Sequence, residues 1–308
     1  MAERLSPRVL LDTLVGFPTV SSESNLPLVE WVERYFARHG ITVHRHLDET
    51  GTKAALFAHV GPEVEGGVVL SGHTDVVPVV GQAWDTDPFV VTEKDGRLYG
   101  RGTCDMKGFD ALAIWALVEA HYSGVTRPLQ LALSYDEEVG CIGAPAMIDA
   151  IGRTLPKASA VIVGEPSMMK AVSGHKGTIS YQVHLRGYEV HSSLLHRGVS
   201  AIMSGAKLID WANAKNAEGQ AAKPSAMNAV FEPPFTTLHV GMIEGGTASN
   251  ITAKDCHFEM DFRLVPGDST ADWRQAFLDK VAEVEAQMQA VVPETGIDLD
   301  IGFDVPAL

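Results

Sequence analysis

Cysteine is scarce in this 308-residue chain: Cys104, Cys141 and Cys256 are the only three, and no two stand at Cys-x-x-Cys spacing. That excludes a disulfide framework and a paired-cysteine zinc motif, and it favours a reducing compartment, with the cytoplasm as the default. Basic charge is also short, with 24 Lys and Arg against 39 Asp and Glu and a net charge of -15. No basic stripe relieves that balance, so neither nucleic acid nor any other polyanion is expected as a partner. No uninterrupted apolar run is long enough to cross a bilayer. The opening Met1-Ala2-Glu3-Arg4-Leu5-Ser6-Pro7 carries an early acid and no apolar core, so no signal peptide and no membrane association are expected. Repeats are absent, and only the tract 217–225 is low in complexity, which reads as a loop.

What remains is the composition of an ordinary globular protein, 45% hydrophobic and 20% charged, long enough for two domains. Ser6-Pro7 is a helix start, with Leu10, Leu11 and Leu14 on one face before Gly16 and Pro18. A second helix over 27–39 carries Leu28, Trp31, Val32, Tyr35 and Phe36 and stops at Gly40. Strands ending near 71, 134 and 163 then alternate with helices over 106–122 and 144–151. That order predicts an α/β domain: a parallel or mixed sheet with helices on both faces. After about 174 the pattern changes to strands over 178–186, 236–243 and 257–264 and helices over 199–214 and 271–291. A smaller second domain is expected there, able to pair with another copy edge to edge or helix to helix.

Three apolar strand-like runs stop at a carboxylate or an imidazole. They are Val68 to Ser71 before Gly72-His73-Thr74-Asp75, Leu129 to Ser134 before Tyr135-Asp136-Glu137-Glu138, and Ala160 to Val163 before Gly164-Glu165. In open α/β sheets, ligands bind outside the carboxyl ends of the strands. One imidazole among several carboxylates suits zinc or a similar divalent ion. Each residue has a plainer reading. His73-x-Asp75 could be a polar turn, although two residues apart on an extended segment point the same way, and a carboxylate beside a ligating imidazole fixes its tautomer. Asp105 could cap the helix that follows it, and Gly100-Arg101-Gly102-Thr103 is not a phosphate loop, because Lys107-Gly108 reverses the required order. Glu137 and Glu138 could be solvated surface acids, but at the end of a buried strand an unpaired charge is costly. Glu165, before Pro166, could be a loop acid. Together the strand ends predict a metal-dependent hydrolase in which one Glu ligates and its neighbour takes a proton from water. Cys104 and Cys141 are expected as small buried cysteines and not thiolates. Met168, Met169, Trp31, Trp115 and Trp211 are expected in packing.

These motifs resemble the two-zinc amidohydrolases, a family that includes acetylornithine deacetylases, succinyl-diaminopimelate desuccinylases, aminoacylases and a carboxypeptidase group. The resemblance runs from near the N-terminus to about Gly267. It rests on Ser71-Gly72-His73-Thr74-Asp75, on Gly100 to Gly108 with Asp105-Met106-Lys107, on Asp136-Glu137-Glu138 and on Gly164-Glu165-Pro166. The acetylornithine deacetylase branch looks closest, from Gly174-His175-Lys176-Gly177, Val190-His191-Ser192-Ser193 and Gly245-Gly246-Thr247-Ala248-Ser249-Asn250. The resemblance implies two Zn2+ ions per active site, with Co2+ as a possible substitute. Asp105 would bridge them, His73 and Glu165 would complete one ion, and Glu138 would serve the other. It implies Glu137 as general base, Asp75 orienting His73, and His191 lent to the neighbouring site of a homodimer as an oxyanion donor. Asn250 and Arg263 would bind substrate, Arg263 by pairing with an α-carboxylate.

The resemblance also implies the domain plan: a zinc-binding catalytic domain over 1–175 with a mostly parallel sheet flanked by helices, and an inserted α+β dimerisation or lid domain over 176–292. Residues 293–308 are expected to begin a return to the catalytic domain. In the family that return supplies a further histidine to the second ion. His239 and His257 lie inside strands of the second domain, in the wrong place for it. Either the chain is a truncated form or the second metal site is incomplete, and part of the catalytic sheet is expected to be uncovered. The expected reaction is hydrolysis of N-acetyl-L-ornithine to ornithine and acetate, in arginine biosynthesis. A desuccinylase or general aminoacylase is the alternative within the class. A catalytically incomplete dimeric fragment is the alternative outside it.

Overall fold

The computed structural model describes residues 2–308, which divide into two compact units, one through Lys170 and one from Ala171 to Leu308. In the first unit α1 (Pro7–Val15) starts where Ser6 Oγ accepts the Val9 amide, with Pro7 in the first turn. α2 (Leu26–Arg38) follows, then β1 (Val43–Leu47), β2 (Ala54–Val60) and β3 (Val68–His73). A short hairpin, β4 (Thr92–Lys94) and β5 (Arg97–Tyr99), precedes α3 (Lys107–Ser123), β6 (Leu129–Ser134), α4 (Ala144–Thr154) and β7 (Ala160–Val163).

The main sheet has the order β1-β2-β6-β3-β7. β6, β3 and β7 pair in parallel, β2 is antiparallel to both its neighbours, and so four of the five strands run the same way. Alternation along β2 separates two cores. Ala54, Leu56 and Ala58 pack with α1, α2 and α3, whereas Ala55 and Phe57 join Val69, Ala132 and Met147 of α4 on the opposite face. Helices on both faces are what the apolar β6, flanked by amphipathic segments, requires. The parallel strands bring the carboxyl ends of β6, β3 and β7 to one edge of the sheet, where Glu137-Glu138, His73 and Glu165 begin. β7 is an edge strand with every residue exposed: Val161, Ile162 and Val163 are 58%, 51% and 59% accessible.

The second unit contains β8 (Gly177–Arg186), a 3-10 turn over Ser192–Arg197, α5 (Ala201–Ala221), β9 (Thr237–His239), β10 (Ile243–Gly245), β11 (Asp255–Leu264), α6 (Thr270–Gln289) and β12 (Gly296–Val305). Its antiparallel sheet has the order β10-β11-β8-β12, with β9 also on β11. One face packs Ile179, Tyr181, Val183 and Leu185 against α5 and α6, through Leu208, Phe277, Val281 and Val284. The other face carries Gln182, His184, Arg186, Asp255, His257 and Glu259.

Several expectations need correction here. Residues 296–305 do not return to the first unit. They form β12 along β8, because Ile297 and Leu299 alternate with Asp298 and Asp300 and so match the faces of Leu185 and Val183. The strand expected over 236–243 is two short ones. Four steps from His239 to Ile243 oppose three from Asp261 to Phe258, an extra residue that breaks the ladder beside Gly241. The tract 217–225 is a loop only in its second half, since α5 continues to Ala221, where Ala217, Glu218, Gln220 and Ala221 outweigh Gly219. Met168 and Met169 are not packed: both are at least 90% accessible and have left-handed backbone.

Candidate metal centre

The site is built from the sheet edge upward. His73 is the last residue of β3 and is 1% accessible. Its Nδ1 lies 3.0 Å from the Asp75 carbonyl and 3.4 Å from Asp75 Oδ1. Nε2 is thereby turned toward the open edge, where it meets Asp105 at 3.1 Å, Glu165 at 3.7 Å and Glu137 at 3.8 Å. Two sets of donor atoms lie within 4.8 Å of one another, His73 with Asp105 and Glu138, and His73 with Glu137 and Glu165. All five candidate residues of the first unit other than Asp75 thus converge on one point, and Asp75 lies directly behind it.

Asp75 is 2% accessible and ties the site together. Its carboxylate accepts the backbone amides of Glu137 at 3.1 Å and Glu138 at 3.3 Å, and the Ser21 hydroxyl at 2.6 Å. Burial alone would raise its pKa. The bonds from His73, Ser21 and the Glu137 amide outweigh burial and hold it below the usual carboxylate range. The polar-turn reading of His73-Thr74-Asp75 fails on these contacts.

Asp105 does not cap α3. The cap position is Met106, which makes no side-chain cap bond, and the Asp105 side chain faces His73. The first turn of α3 comes close to the sheet because two strand-end glycines admit it. A Cβ on Gly72 would lie 2.1 Å from Asp110 Oδ1, and one on Gly164 would lie 1.9 Å from the Phe109 ring.

The electrostatics favour a cation. Burial, then repulsion from Asp105, pushes Glu138 upward. Glu165 is pushed up to about 7, by burial and by Asp105, Glu137 and Glu138, against the pull of His73. His73 is raised to about 10, because the Asp75 bond and the surrounding carboxylates overcome the opposing effect of burial. A single imidazole thus stands among Asp75, Asp105, Glu137, Glu138 and Glu165, and the excess negative charge has no matching basic side chain at the cluster. Lys53 is engaged 2.5 Å from Asp136 and Lys107 by the Phe17 carbonyl. Oxygen-rich donors with one imidazole fit divalent metal ions.

Four residues of this neighbourhood were given no role in the sequence reading. Ser21 lies 54 positions from Asp75, and no local pattern marks it. Lys53 belongs to no motif. Lys107 and Asp110 are fully buried in α3, and burial brings the first down and the second up, each to about 8. Two ionisable groups on the apolar face of a helix were the available signal. Cys141 is half-buried and no thiolate: burial and the adjacent Glu137 push its thiol up to about 11. Cys104 is exposed, contrary to the expectation of burial.

The remaining candidates lie in the second unit. His191 precedes the 3-10 turn, holds Ser193 Oγ at 2.8 Å and forms an isolated bridge with Ile251, which brings it beside Asn250. The Ser192 amide donates to the Asn250 carbonyl at 2.8 Å. Arg263 lies on β11 with its guanidinium 3.0 Å from Asp261.

A strand-end cluster of this composition on an α/β sheet defines a metal-dependent amide hydrolase, and comparison with known proteins agrees. Residues 69–296 match peptidase family M20/M25/M40, and the chain belongs to that family. It is 35% identical to an acetylornithine deacetylase of Myxococcus xanthus, over 94% of this chain and 77% of the relative. It is 33% identical to one from Proteus mirabilis, over 89% of this chain and 71% of the relative. In fold it is similar to an M20 family metallo-carboxypeptidase of Sulfolobus solfataricus, with a TM-score of 0.74 at 19% identity, covering all of this chain and 79% of the other. A dinuclear metal binding M20 peptidase of Bacillus subtilis gives 0.62 at 13% identity, covering 98% and 74%. No helix among the described residues is long and apolar enough to cross a membrane.

Proposed function

We propose that this enzyme removes acetate from N-acetyl-L-ornithine, yielding L-ornithine within arginine biosynthesis, with zinc as its metal. The observation that carries the reading is the 35% identity to an acetylornithine deacetylase across 94% of the chain, with the metal cluster inside the aligned family region. His73, Asp105, Glu138 and Glu165 would hold the metal. Asp105 would serve two ions, with His73 and Glu165 on one and Glu138 on the other. The approaches of His73 Nε2 to Asp105 and Glu165 support those two as its co-ligands, and Glu138 lies within reach of both His73 and Asp105. Bound there, zinc supplies Lewis-acid polarisation of the amide carbonyl and acidifies water.

Glu137 receives the proton of the attacking water as the carbon–oxygen bond forms, and passes it to the departing nitrogen as the carbon–nitrogen bond breaks. Asp75 keeps the Nδ1 proton of His73 in place, so Nε2 stays available for the metal. His191 donates to the developing oxyanion in the neighbouring subunit of a homodimer, and Asn250 and Arg263 bind the substrate. Support for pairing comes from β10, an edge strand on which Ile243 is exposed, with Met242 exposed just before it. Three unpaired cysteines support a cytoplasmic location.

Glu137→Gln should lower turnover by about 100- to 10,000-fold and leave metal content unchanged. Retained turnover would remove Glu137 as the base. Relative kcat/KM on acetylornithine, succinyl-diaminopimelate and acetylmethionine tests the substrate, and preference for either of the latter two moves the enzyme to another branch. Light scattering tests the dimer: Ile243→Lys should shift its mass to that of a monomer.

A further inference from the structure

The geometry points to a second metal site, on the outward face of the antiparallel sheet, formed by His184 of β8 with Asp255 and His257 of β11 and selective for a borderline transition-metal dication such as zinc, nickel or copper(II). None of these residues belongs to the His73 cluster.

The sheet register makes the site. His257 lies directly across from His184, and Asp255 is two residues before His257, so all three side chains leave the same face. The two imidazole rings stack with centroids 3.9 Å apart and planes 15° from parallel. His184 Nε2 lies 2.8 Å from Asp255 Oδ1, and one donor atom from each of the three residues falls within a 4.8 Å group. The bond to Asp255 accounts for the position of His184. It does not account for His257, which brings a second imidazole to the same carboxylate.

The rear of the site is also organised. β12 runs along the other edge of β8 and sets Asp298 opposite His184, with Oδ2 3.8 Å from His184 Nδ1. Asp298 is held there by Arg186, whose Nε and Nη2 donate to its two oxygens at 2.7 and 3.3 Å. At that distance Asp298 makes no hydrogen bond to the ring, but its negative charge behind His184 favours a cation at the other nitrogen. Two nitrogens and one oxygen disfavour magnesium and calcium, which take oxygen ligands, and leave the solvent side free for water.

Tetrahedral coordination sets ligand atoms about 3.3 Å apart, from metal–ligand distances of ~2.0–2.1 Å. Binding therefore opens the 2.8 Å contact and splays the stacked rings. His257 is exposed, and the side chains of His184 and Asp255 are 32% and 47% accessible, so a χ2 rotation of each ring meets no packed neighbour on the solvent side. The ion takes the place of the His184–Asp255 hydrogen bond and cross-links β8 to β11.

The test is zinc stoichiometry on the full chain by equilibrium dialysis at micromolar free zinc, comparing the parent with His257→Gln and with His184→Gln/His257→Gln. The double variant is expected to hold one equivalent fewer than the parent while keeping its hydrolase activity. Equal stoichiometry, or a difference seen only at millimolar zinc, overturns the site. A measurement on the unaltered protein guards against misfolding of the variants. Substoichiometric copper(II) should broaden the NMR signals of His184, Asp255 and His257 and spare Arg263, farther along β11. Broadening that leaves His184 and His257 untouched overturns it as well.

Discussion

Asp75 accepts the amide of Glu137 at 3.1 Å through the same Oδ1 that faces His73 Nδ1 at 3.4 Å. One buried carboxylate therefore sets both the imidazole at the end of β3 and the turn that carries the proposed base. The parallel pairing of β3 with β6 brings the two strand ends within its reach.

Asp75→Asn should weaken metal binding and kcat/KM together, by about 10- to 100-fold. The amide keeps one acceptor oxygen, but its NH2 opposes either the His73 nitrogen or a backbone amide. Competition with a chromophoric chelator measures the affinity, and an unchanged affinity would show that His73 is oriented by other contacts.

The metal-free protein should lose stability as pH rises from 5 to 8. Glu165 rises from 4.5 to about 7 in the folded state, so the folded state holds its proton longer than the unfolded chain, and stability falls across that interval. His73, raised from 6.5 to about 10, contributes stability that is complete below 6.5 and declines above it, in the same direction. Metal displaces these protons, so zinc-loaded protein should show a flatter profile and metal affinity should increase with pH. Thermal midpoints with and without chelator test the first point, and calorimetry in two buffers of different ionisation enthalpy tests proton release.

Asp110→Asn should stabilise the protein increasingly between pH 4 and 8 and level off above 8. Both Asp110 oxygens are buried without a hydrogen-bond partner, and burial raises the carboxyl from 3.8 to about 8. The folded parent keeps that proton, which the unfolded chain gives up, at a cost of up to ~1.4 kcal/mol per pH unit. Asn does not titrate. Urea unfolding at pH 5 and pH 8 decides the matter, and a constant difference between variant and parent would contradict the assignment.

Val161→Lys on the exposed edge β7 should reduce self-association. An apolar edge strand with unpaired backbone groups is a template for another chain, and a charge on it discourages pairing. Light scattering against concentration should flatten in the variant while secondary structure is unchanged. Identical scattering would mean that β7 takes no part.

What is local was legible along the chain. Ser6-Pro7 began α1, the apolar runs became β3, β6 and β7, and His73, Glu137, Glu138 and Glu165 came to stand at their carboxyl ends. Those features follow from short-range sterics, capping and the burial of apolar runs, which are written within a few residues. β1 was harder to read because His44, Arg45 and His46 hide its pattern, and the alanines of β2 suit a helix as well as a strand. Only the tertiary structure decided which side chains meet across long separations. It brought Ser21 and the amides of Glu137 and Glu138 to Asp75, buried Lys107 and Asp110 beneath the site, laid β12 along β8, and set His184 against His257. Strand order and register join segments 50 to 120 residues apart, and nothing in either segment alone specifies its partner.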